Sequence, residues 1–414
     1  MNLNILSMYS IQLKEGRGKL PAKHHPWVFS NALENVTPGF SEADWAEVKA
    51  HDGSFIAWGW YDEKSNVILR LLSWDKEEEL GEGFIKRLVK ESVLRRRSLL
   101  RLPDTTAIRL IHGEADLVPG IAADCYAKEI RIIVSARFSY HFLPVIAEAL
   151  HGLLHPALIE AVTDKYYGPI EGLPERPRYF IGGEETKEPG ERKSLLFREN
   201  GILYELEPGH GQKSGFYCDQ RDNREITGKA AKGQTVLDLF SYTGGFTLHA
   251  LREGAERVDA VDSSAPALKH LLRQVRLNEE KGILPEGSSG RVTVTEADAF
   301  NYLRDQVETG KYSLIILDPP KLAKNKGALE KAVKAYKDIN RVAMLKVRKG
   351  GLIATFSCSA ALSREEFRLV LSWAAADAGK EIQVLRTLSA GEDHPVRLSF
   401  PESEYLKGFI LRVL

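Results

Sequence analysis

The stretch Leu237–Thr247, LDLFSYTGGFT, constrains the fold of this chain more than any other. Val236–Phe240 is a short apolar run holding one acid, the kind that forms a strand buried on both faces of a parallel sheet. Gly244 and Gly245 supply a tight turn, and Phe246–Leu251 resumes with helical spacing. Strand, glycine turn and helix in that order belong to doubly wound α/β folds, which bind ligands outside the carboxyl end of the first strand. The next apolar run, Arg257–Asp262, ends in a second acid 24 positions after Asp238. An acid there can bond the hydroxyl pair of a ribose. The pattern predicts a site for a nucleoside-containing cofactor, against the alternative of an ordinary glycine-containing strand–helix turn.

The turn chemistry narrows the cofactor. A dinucleotide fold wants G-x-G-x-x-G and a helix N-terminus bare enough to receive a pyrophosphate. Here the turn reads Ser241-Tyr242-Thr243-Gly244-Gly245, with one glycine pair and an acid at the strand end. Asp238 would repel a pyrophosphate but suits the ammonium group of an amino-acid tail. These choices favour S-adenosylmethionine over NAD.

At 414 residues the chain is expected to hold two or three domains. No apolar run approaches the ~20 residues that cross a bilayer. The first residues, MNLNILSMYSIQLKEG, lack a basic flank and a small-residue cleavage site, so no signal peptide is expected. Cys125, Cys218 and Cys358 are too few and too scattered for a disulfide framework or a metal site, and a cytoplasmic, reduced protein is expected. Net charge is zero but uneven. Lys321–Lys349 carries ten Lys or Arg against two acids, and Phe84–Arg101 carries seven against one. A basic helix is commonly a solvated face, but two such runs, one beside a candidate site, suit contacts to a nucleic-acid backbone.

Up to about residue 80 the chain reads as short strands, Ile11–Lys14, Ala46–Ala50, Phe55–Tyr61 and Val67–Leu72, in a small β-rich module. Its early loop carries Lys14, Arg17, Lys19, Lys23, His24, His25 and Trp27, a basic and aromatic mix that fits RNA as well as it fits an exposed loop beside a core Trp. Residues 81–207 read as an α+β domain. It holds a helix from near Phe84, β-like runs at Leu117–Ile121 and Glu129–Ser135, a helix near Pro144–Leu154, a Pro/Gly-rich stretch Gly168–Gly190 and a strand pair in Leu195–Leu206. Residues 208–414 form the third domain. From Thr235 strands and helices alternate, which predicts a parallel sheet covered on both faces, closed by strands near 382–388 and 408–414.

Two further motifs fall at strand ends of this third domain. Leu314–Lys321 ends a buried strand in Asp318, and Pro319 and Pro320 stiffen the chain that leaves it. Carbonyls there are not consumed by helix bonds and can face a planar base, so Asp-Pro-Pro points to methylation of a nucleobase, against the alternative of a purely structural strand exit. Leu352–Ser359 places Cys358 at the carboxyl end of the following strand. A single cysteine is most often a small buried hydrophobe. At this edge it has a chemical use, because cytosine C5 is a poor nucleophile until a thiolate adds to C6. Amine methylation needs no such cysteine.

DLFSYTGGF, LDPPK and FSCS, with GFYCDQRDNR at Gly215–Arg224 and HPWVFS at His25–Ser30, closely resemble the bacterial large-subunit (23S) ribosomal RNA cytosine-C5 methyltransferases over nearly the whole chain. The resemblance implies an N-terminal PUA domain, a central α+β domain and a C-terminal class I, Rossmann-like methyltransferase domain using S-adenosylmethionine. It implies that Asp238, Phe240, Tyr242 and Gly244 line the methionine side of the cofactor, Asp262 with Ser263 the ribose, and Asp298 with Ala299 the adenine. By the same token Asp318 and Pro319 would hold the target base, with Lys321 beside them, and Cys358 would be the nucleophile. Gln220 and Arg221 would close over cofactor or RNA, while Lys23 and Trp27 would contact RNA.

Two departures from the family stand out. Related two-cysteine enzymes carry a second Cys in the Asp-Pro motif, where this chain has Pro320, so another base must take the C5 proton. Cys218 stands where an apolar residue is expected and reads as a packing substitution. Asp393-His394-Pro395 and Lys407 match the family's tail, and His394 is a candidate proton acceptor as well as a structural histidine. The expected activity is 5-methylcytosine formation in 23S ribosomal RNA. The alternatives are amine methylation of a guanine or adenine, and an RNA-binding assembly factor without catalysis. Homodimer formation is left open by the sequence.

Overall fold

The computed structural model describes residues 9–36, 43–190, 192–207, 215–322 and 326–414. Residues 1–8, the start of the segment weighed as a leader, lie outside the described residues. Contacts divide the chain into two compact units. One gathers Met1–Leu195, Leu206–Phe216 and Asp393–Ser403; the other gathers Leu196–Glu205, Tyr217–Glu392 and Glu404–Leu414.

The first unit contains two six-stranded sheets. The smaller runs in the order Trp27–Val28, Leu69–Ser73, Phe55–Asp62, Ala43–Lys49, Tyr9–Leu13, Leu33–Val36. Ile11, Leu13, Val48, Ala57 and Leu69, at or near zero exposure, fill its interior. The larger sheet runs Glu184–Thr186, Arg178–Ile181, Leu158–Thr163, Glu129–Val134, Ile121–Tyr126, Ala107–His112. Helices Glu82–Arg95 and Leu143–Leu154 bury Ile85, Val89, Ile146 and Leu150 in its core. Trp60 and Leu72 of the smaller sheet belong to the same cluster, so the two layers share apolar burial.

One expectation is corrected here. Leu117–Ile121 is not a strand: Leu117 sits at φ 64 after the turn Gly113–Asp116, and the strands lie on either side. The Pro/Gly-rich stretch holds a real hairpin, Arg178–Ile181 with Glu184–Thr186. The basic run beginning near Phe84 pairs part of its charge within this unit, Arg96 in a buried pair and Arg87 and Lys86 in exposed ones. Arg96 donates twice to Asp116 at 2.6 Å, both residues being buried, Arg87 pairs with Glu78 at 2.6 Å and Lys86 with Glu148 at 2.7 Å.

Asp393–Ser403, the connection between the last two strands, is built into the first unit. Asp393 accepts from the Arg109 amide at 2.9 Å, and its own carbonyl accepts from Arg96 at 2.9 Å. His394 is buried, with Nδ1 3.0 Å from the Asp393 carboxylate and its ring edge-on to His112. That environment gives His394 a structural place in the first unit.

The second unit is organised by a seven-stranded sheet in the order Val292–Glu296, Arg257–Asp262, Thr235–Leu239, Leu314–Leu317, Leu352–Ser357, Lys407–Val413, Ile382–Ser389. The first five are parallel neighbours; Lys407–Val413 runs antiparallel to both Leu352–Ser357 and Ile382–Ser389. Strand order reverses between Thr235–Leu239 and Leu314–Leu317, which opens a crevice at their carboxyl ends. Helix Ala265–Glu280 starts where the Ser264 side chain accepts from the Ala267 amide, and Arg364–Ala378 starts with a Ser363/Glu366 capping box.

The hairpin Leu195–Glu199/Ile202–Leu206 is fastened to helix Ala265–Glu280 by side-chain amides. Asn278 accepts from the Leu203 amide at 2.8 Å and donates to its carbonyl at 2.6 Å, while Gln274 accepts from the Glu205 amide and donates to Thr243. Asn278→Leu keeps the volume and leaves both Leu203 groups buried without partners. It should lower unfolding free energy by about 2–4 kcal/mol. Urea denaturation followed by circular dichroism, with faster hydrogen exchange at the Leu203 amide, is the check; an unchanged midpoint contradicts the fastening role.

Candidate active site at the carboxyl edge of the parallel sheet

Three residues of the turn after Thr235–Leu239 are left-handed: Phe240 (φ 62), Tyr242 (φ 48) and Gly244 (φ 88). Non-glycine residues adopt this conformation only where surroundings enforce it, and such strain collects at ligand sites. Asp262 enforces it here. Its carboxylate accepts from the Tyr242 amide at 2.9 Å and from the Ser264 amide at 2.8 Å, so the second acid holds the turn of the first. Gly244 is needed for space as well as for φ, since a Cβ there would lie 2.5 Å from Leu271 Cγ.

Asp238 lies beneath this turn, 1% exposed, with Oδ2 accepting from Thr247 Oγ1 at 2.7 Å. Its Oδ1 is buried without a hydrogen-bond partner. Loss of water pushes its pKa up to about 7; the Thr247 bonds oppose this and the nearby Asp262 charge adds to it. A buried carboxylate with an unused oxygen is a receptor for a cation. Phe240 packs edge-on to Phe300 and Tyr242 edge-on to Tyr217 along the same turn.

At the next strand end, Asp298 is exposed and caps Ala299–Asn301 by accepting from the Asn301 amide at 2.9 Å. Ala299 is buried in the core, and Ser263 is exposed beside Asp262. Asp238, Asp262 and Asp298 thus close three neighbouring strands at one edge. The orphaned Asp238 oxygen suits the ammonium of S-adenosylmethionine, and Asp262 keeps lone pairs for a ribose.

The second half of the site follows Leu314–Leu317 and Leu352–Ser357. Asp318 Oδ1 accepts from Gln220 Nε2 at 2.9 Å, and Gln220 Oε1 accepts from Asn223 at 2.6 Å. With both ends of its amide engaged, Gln220 orients the acid. Burial pushes Asp318 up to about 7, helped by Asp219 and Asp238 and opposed by Arg224 and Gln220. Cys358 is half-buried, its Sγ 3.8 Å from the Pro319 carbonyl. Asp318, Pro319 and Cys358 are therefore brought to one edge; Lys321 is half-buried three positions beyond Asp318.

Sequence reasoning did not single out Arg224. Its guanidinium is buried, donates to both Glu199 oxygens at 2.8 and 2.9 Å and to the Tyr217 carbonyl at 2.8 Å, and lies under Gly245, where a Cβ would meet its Nε at 2.5 Å. It is the last residue of the motif quoted at Gly215–Arg224, which was the available signal. Arg221 is also buried and bonds Asp222 at 3.1 Å. Cys218 is buried. Lys23 and Trp27 belong to the other compact unit. There Trp27 donates to Glu114 at 2.9 Å and stacks edge-on against Phe400 at 4.7 Å, while Lys23 is exposed.

Comparison with known proteins gives the family. Residues 11–74 match the PUA-like domain family, and residues 185–384 match a family described as S-adenosylmethionine-dependent methyltransferase. A "Ribosomal RNA large subunit methyltransferase I" from Shewanella amazonensis is 35% identical over 404 residues, covering 97% of this chain and 99% of the relative. Its namesakes from Shewanella denitrificans and Aeromonas salmonicida are 36% and 35% identical over similar lengths. Among solved structures, a candidate SAM-dependent methyltransferase from Streptococcus mutans superposes with TM-score 0.79 at 20% identity, covering 98% of this chain and 100% of the other. A second, a methyltransferase described as complexed with SAH, gives 0.80 at 21%, with the same coverage. At this identity these structures establish the shared fold. Among the described residues no helix is long and apolar enough to cross a membrane.

The raised Asp238 gives a pH signature. An ammonium at its Oδ1 favours the ionised carboxylate, so cofactor binding expels a proton wherever Asp238 is protonated in the protein alone. Affinity for S-adenosylhomocysteine should therefore rise about tenfold between pH 6 and 8, and Asp238→Asn should bind more weakly with a flat profile. Calorimetry in buffers of different ionisation enthalpy measures both; a flat wild-type profile contradicts the placement of the ammonium.

Proposed function

Because the chain belongs to the ribosomal RNA large subunit methyltransferase I family, we propose that it methylates C5 of a cytosine in 23S ribosomal RNA in the cytoplasm, with Cys358 as nucleophile. The observation that carries the reading is the half-buried Cys358 thiol beside the Pro319 carbonyl, on the sheet edge that also carries Asp318. S-adenosylmethionine, when bound, supplies an electrophilic methyl group on a sulfonium. Asp238 would hold its ammonium, Asp262 and Ser263 its ribose, and Asp298 and Ala299 its adenine, with Phe240, Tyr242, Gly244 and Gln220 lining the turn.

The residues of the chain divide the remaining work. Cys358 thiolate adds to C6, and the C5–C6 electron pair moves toward C5, making it nucleophilic. Negative charge then builds on the ring, and Asp318, poised near neutrality, can share its proton with the ring nitrogen while Pro319 meets the exocyclic amine. Once C5 carries the methyl, a base takes the C5 proton, the double bond reforms and Cys358 leaves as thiolate. Pro320 supplies no second thiol for that step. His394 is not assigned to it, because its ring is buried against Asp393 and His112.

Lys321 would contact RNA near the base, and Lys23, with the basic loop around it, would contact RNA backbone from the PUA-like module; Arg221, buried and bonded to Asp222, fits an RNA contact less well than the sequence suggests. Trp27 fits this role less well than the sequence suggests, since its indole N–H is spent on Glu114. We assign residues 1–80 to the PUA-like domain, 81–207 to the central α+β domain and 208–414 to the methyltransferase domain. Amine methylation, with Cys358 inert, is the second enzymatic reading.

Cys358→Ala should keep cofactor and RNA binding and lose methyl transfer by at least ~10³-fold, since the covalent route is removed. The wild type should form a denaturation-resistant adduct with RNA bearing 5-fluorocytosine at the target, because fluorine blocks the last elimination. Normal turnover by Cys358→Ala would leave amine methylation as the reading. The basic loop has its own test: Lys19→Glu with Lys23→Glu should weaken RNA binding without changing cofactor affinity, and should flatten the salt dependence of binding. An unchanged salt slope would remove the loop from the interface.

A further inference from the structure

Lys407 opens the antiparallel strand Lys407–Val413 and pairs across to Ser357, the residue before Cys358. Its side chain is fully buried, unusual for a lysine without a carboxylate in hydrogen-bond contact. The ammonium donates instead to two backbone carbonyls, Ser359 at 2.8 Å and Leu362. Those carbonyls belong to the turn that carries the chain away from Cys358. Ser357 and Ser359, which flank the thiol, are themselves fully buried, and Tyr336 Oη lies 3.3 Å from Ser359 Oγ.

We propose that Lys407 is a positioning residue for Cys358: its buried ammonium ties down the turn after the thiol and sets a positive charge beside it. This rests on the reading of Cys358 as the nucleophile. A thiol attacks only as thiolate, and a free one with a pKa of ~8.5 is only a few per cent ionised at neutral pH. A positive charge held out of water close by is the common means of raising that fraction. Among the described residues no carboxylate lies at hydrogen-bond distance from the ammonium, so its field is offset only by the more distant Glu404 and Glu366. Burial lowers Lys407 to about 8, against the opposing influence of Glu404 and of the Cys358 thiolate itself. It is still mostly charged at neutral pH, and the interaction with Cys358 is reciprocal. The charged groups that face it are Glu404 and Glu366, which favour its ammonium, and Arg364, which opposes it.

Two variants separate the tether from the charge. Lys407→Arg keeps the charge, whereas Lys407→Gln keeps a donor for the carbonyls and removes the charge. Iodoacetamide alkylation of the full-length protein across pH 5–10, with peptide mapping to read Cys358 alone, reports the thiol's ionisation. Lys407→Gln should alkylate Cys358 about tenfold more slowly at pH 7, with the midpoint moved up by about one unit; Lys407→Arg should stay near wild type. A folded Lys407→Gln protein with the wild-type midpoint overturns the proposal, because a purely structural lysine would not move it. Should Lys407→Gln fail to fold, the wild-type midpoint decides: a value at or above ~8.5, that of a free thiol, overturns it. The thiol titration needs no methylation, so normal turnover by Cys358→Ala would defeat the cytosine-C5 reading without touching this result.

Discussion

The buried Arg224 guanidinium joins the separate parts of the methyltransferase site. It satisfies Glu199 on the hairpin, the Tyr217 carbonyl in the segment before the sheet, and lies against Gly245 at the start of the helix after the turn. A charge this deep is costly unless paired and hydrogen-bonded, and the Glu199 pair meets that need. Its field also opposes the upward shift of both Asp238 and Asp318, one acid on each half of the site. Removing it would leave the buried Glu199 with His249, a second buried titratable group 3.6 Å away, in place of a bidentate guanidinium. The same residue thus serves packing, turn geometry and electrostatics.

Around that pair the sheet supplies direction. Parallel strands send their carboxyl ends to one edge, so acids written at strand termini in the sequence become neighbours in space. Asp262 shows how economical the arrangement is, because the carboxylate proposed to meet the ribose also holds the left-handed turn over Asp238. Asp318 and Asp238 are both pushed toward neutrality by burial, which keeps them responsive to a cation or a base. Function and strain occupy the same few residues.

The second unit was largely legible in the sequence because each strand is a buried apolar run ending in a motif. Strand Arg257–Asp262 has the expected bounds, and the strands before Asp318 and Cys358 end within a residue of those motifs. Helix Arg221–Ala230 was missed, since its polar face carries the charged motif and its buried positions, Arg224 and Asn223, are polar. In the first unit, Leu117–Ile121 looked like a strand because apolar composition does not reveal a left-handed Leu117. The partners that Arg96 and Lys86 of the basic run find, Asp116 and Glu148, lie far along the chain and were not legible in it. The partners of Trp27, Glu114 and Phe400, were hidden for the same reason, being 87 and 373 positions away. Positions of acids at strand ends could be read; the partners of buried charges and aromatics could not.

This sheet edge is proposed to methylate carbon C5 of a cytosine, not an exocyclic amine. Mass spectrometry of 23S ribosomal RNA nucleosides from cells with the gene, without it, and with only the Cys358→Ala form tests it directly. One 5-methylcytidine should be present in the first and missing from the other two, with methylated guanosine and adenosine unchanged. Loss of an N-methylated purine with 5-methylcytidine intact would contradict it.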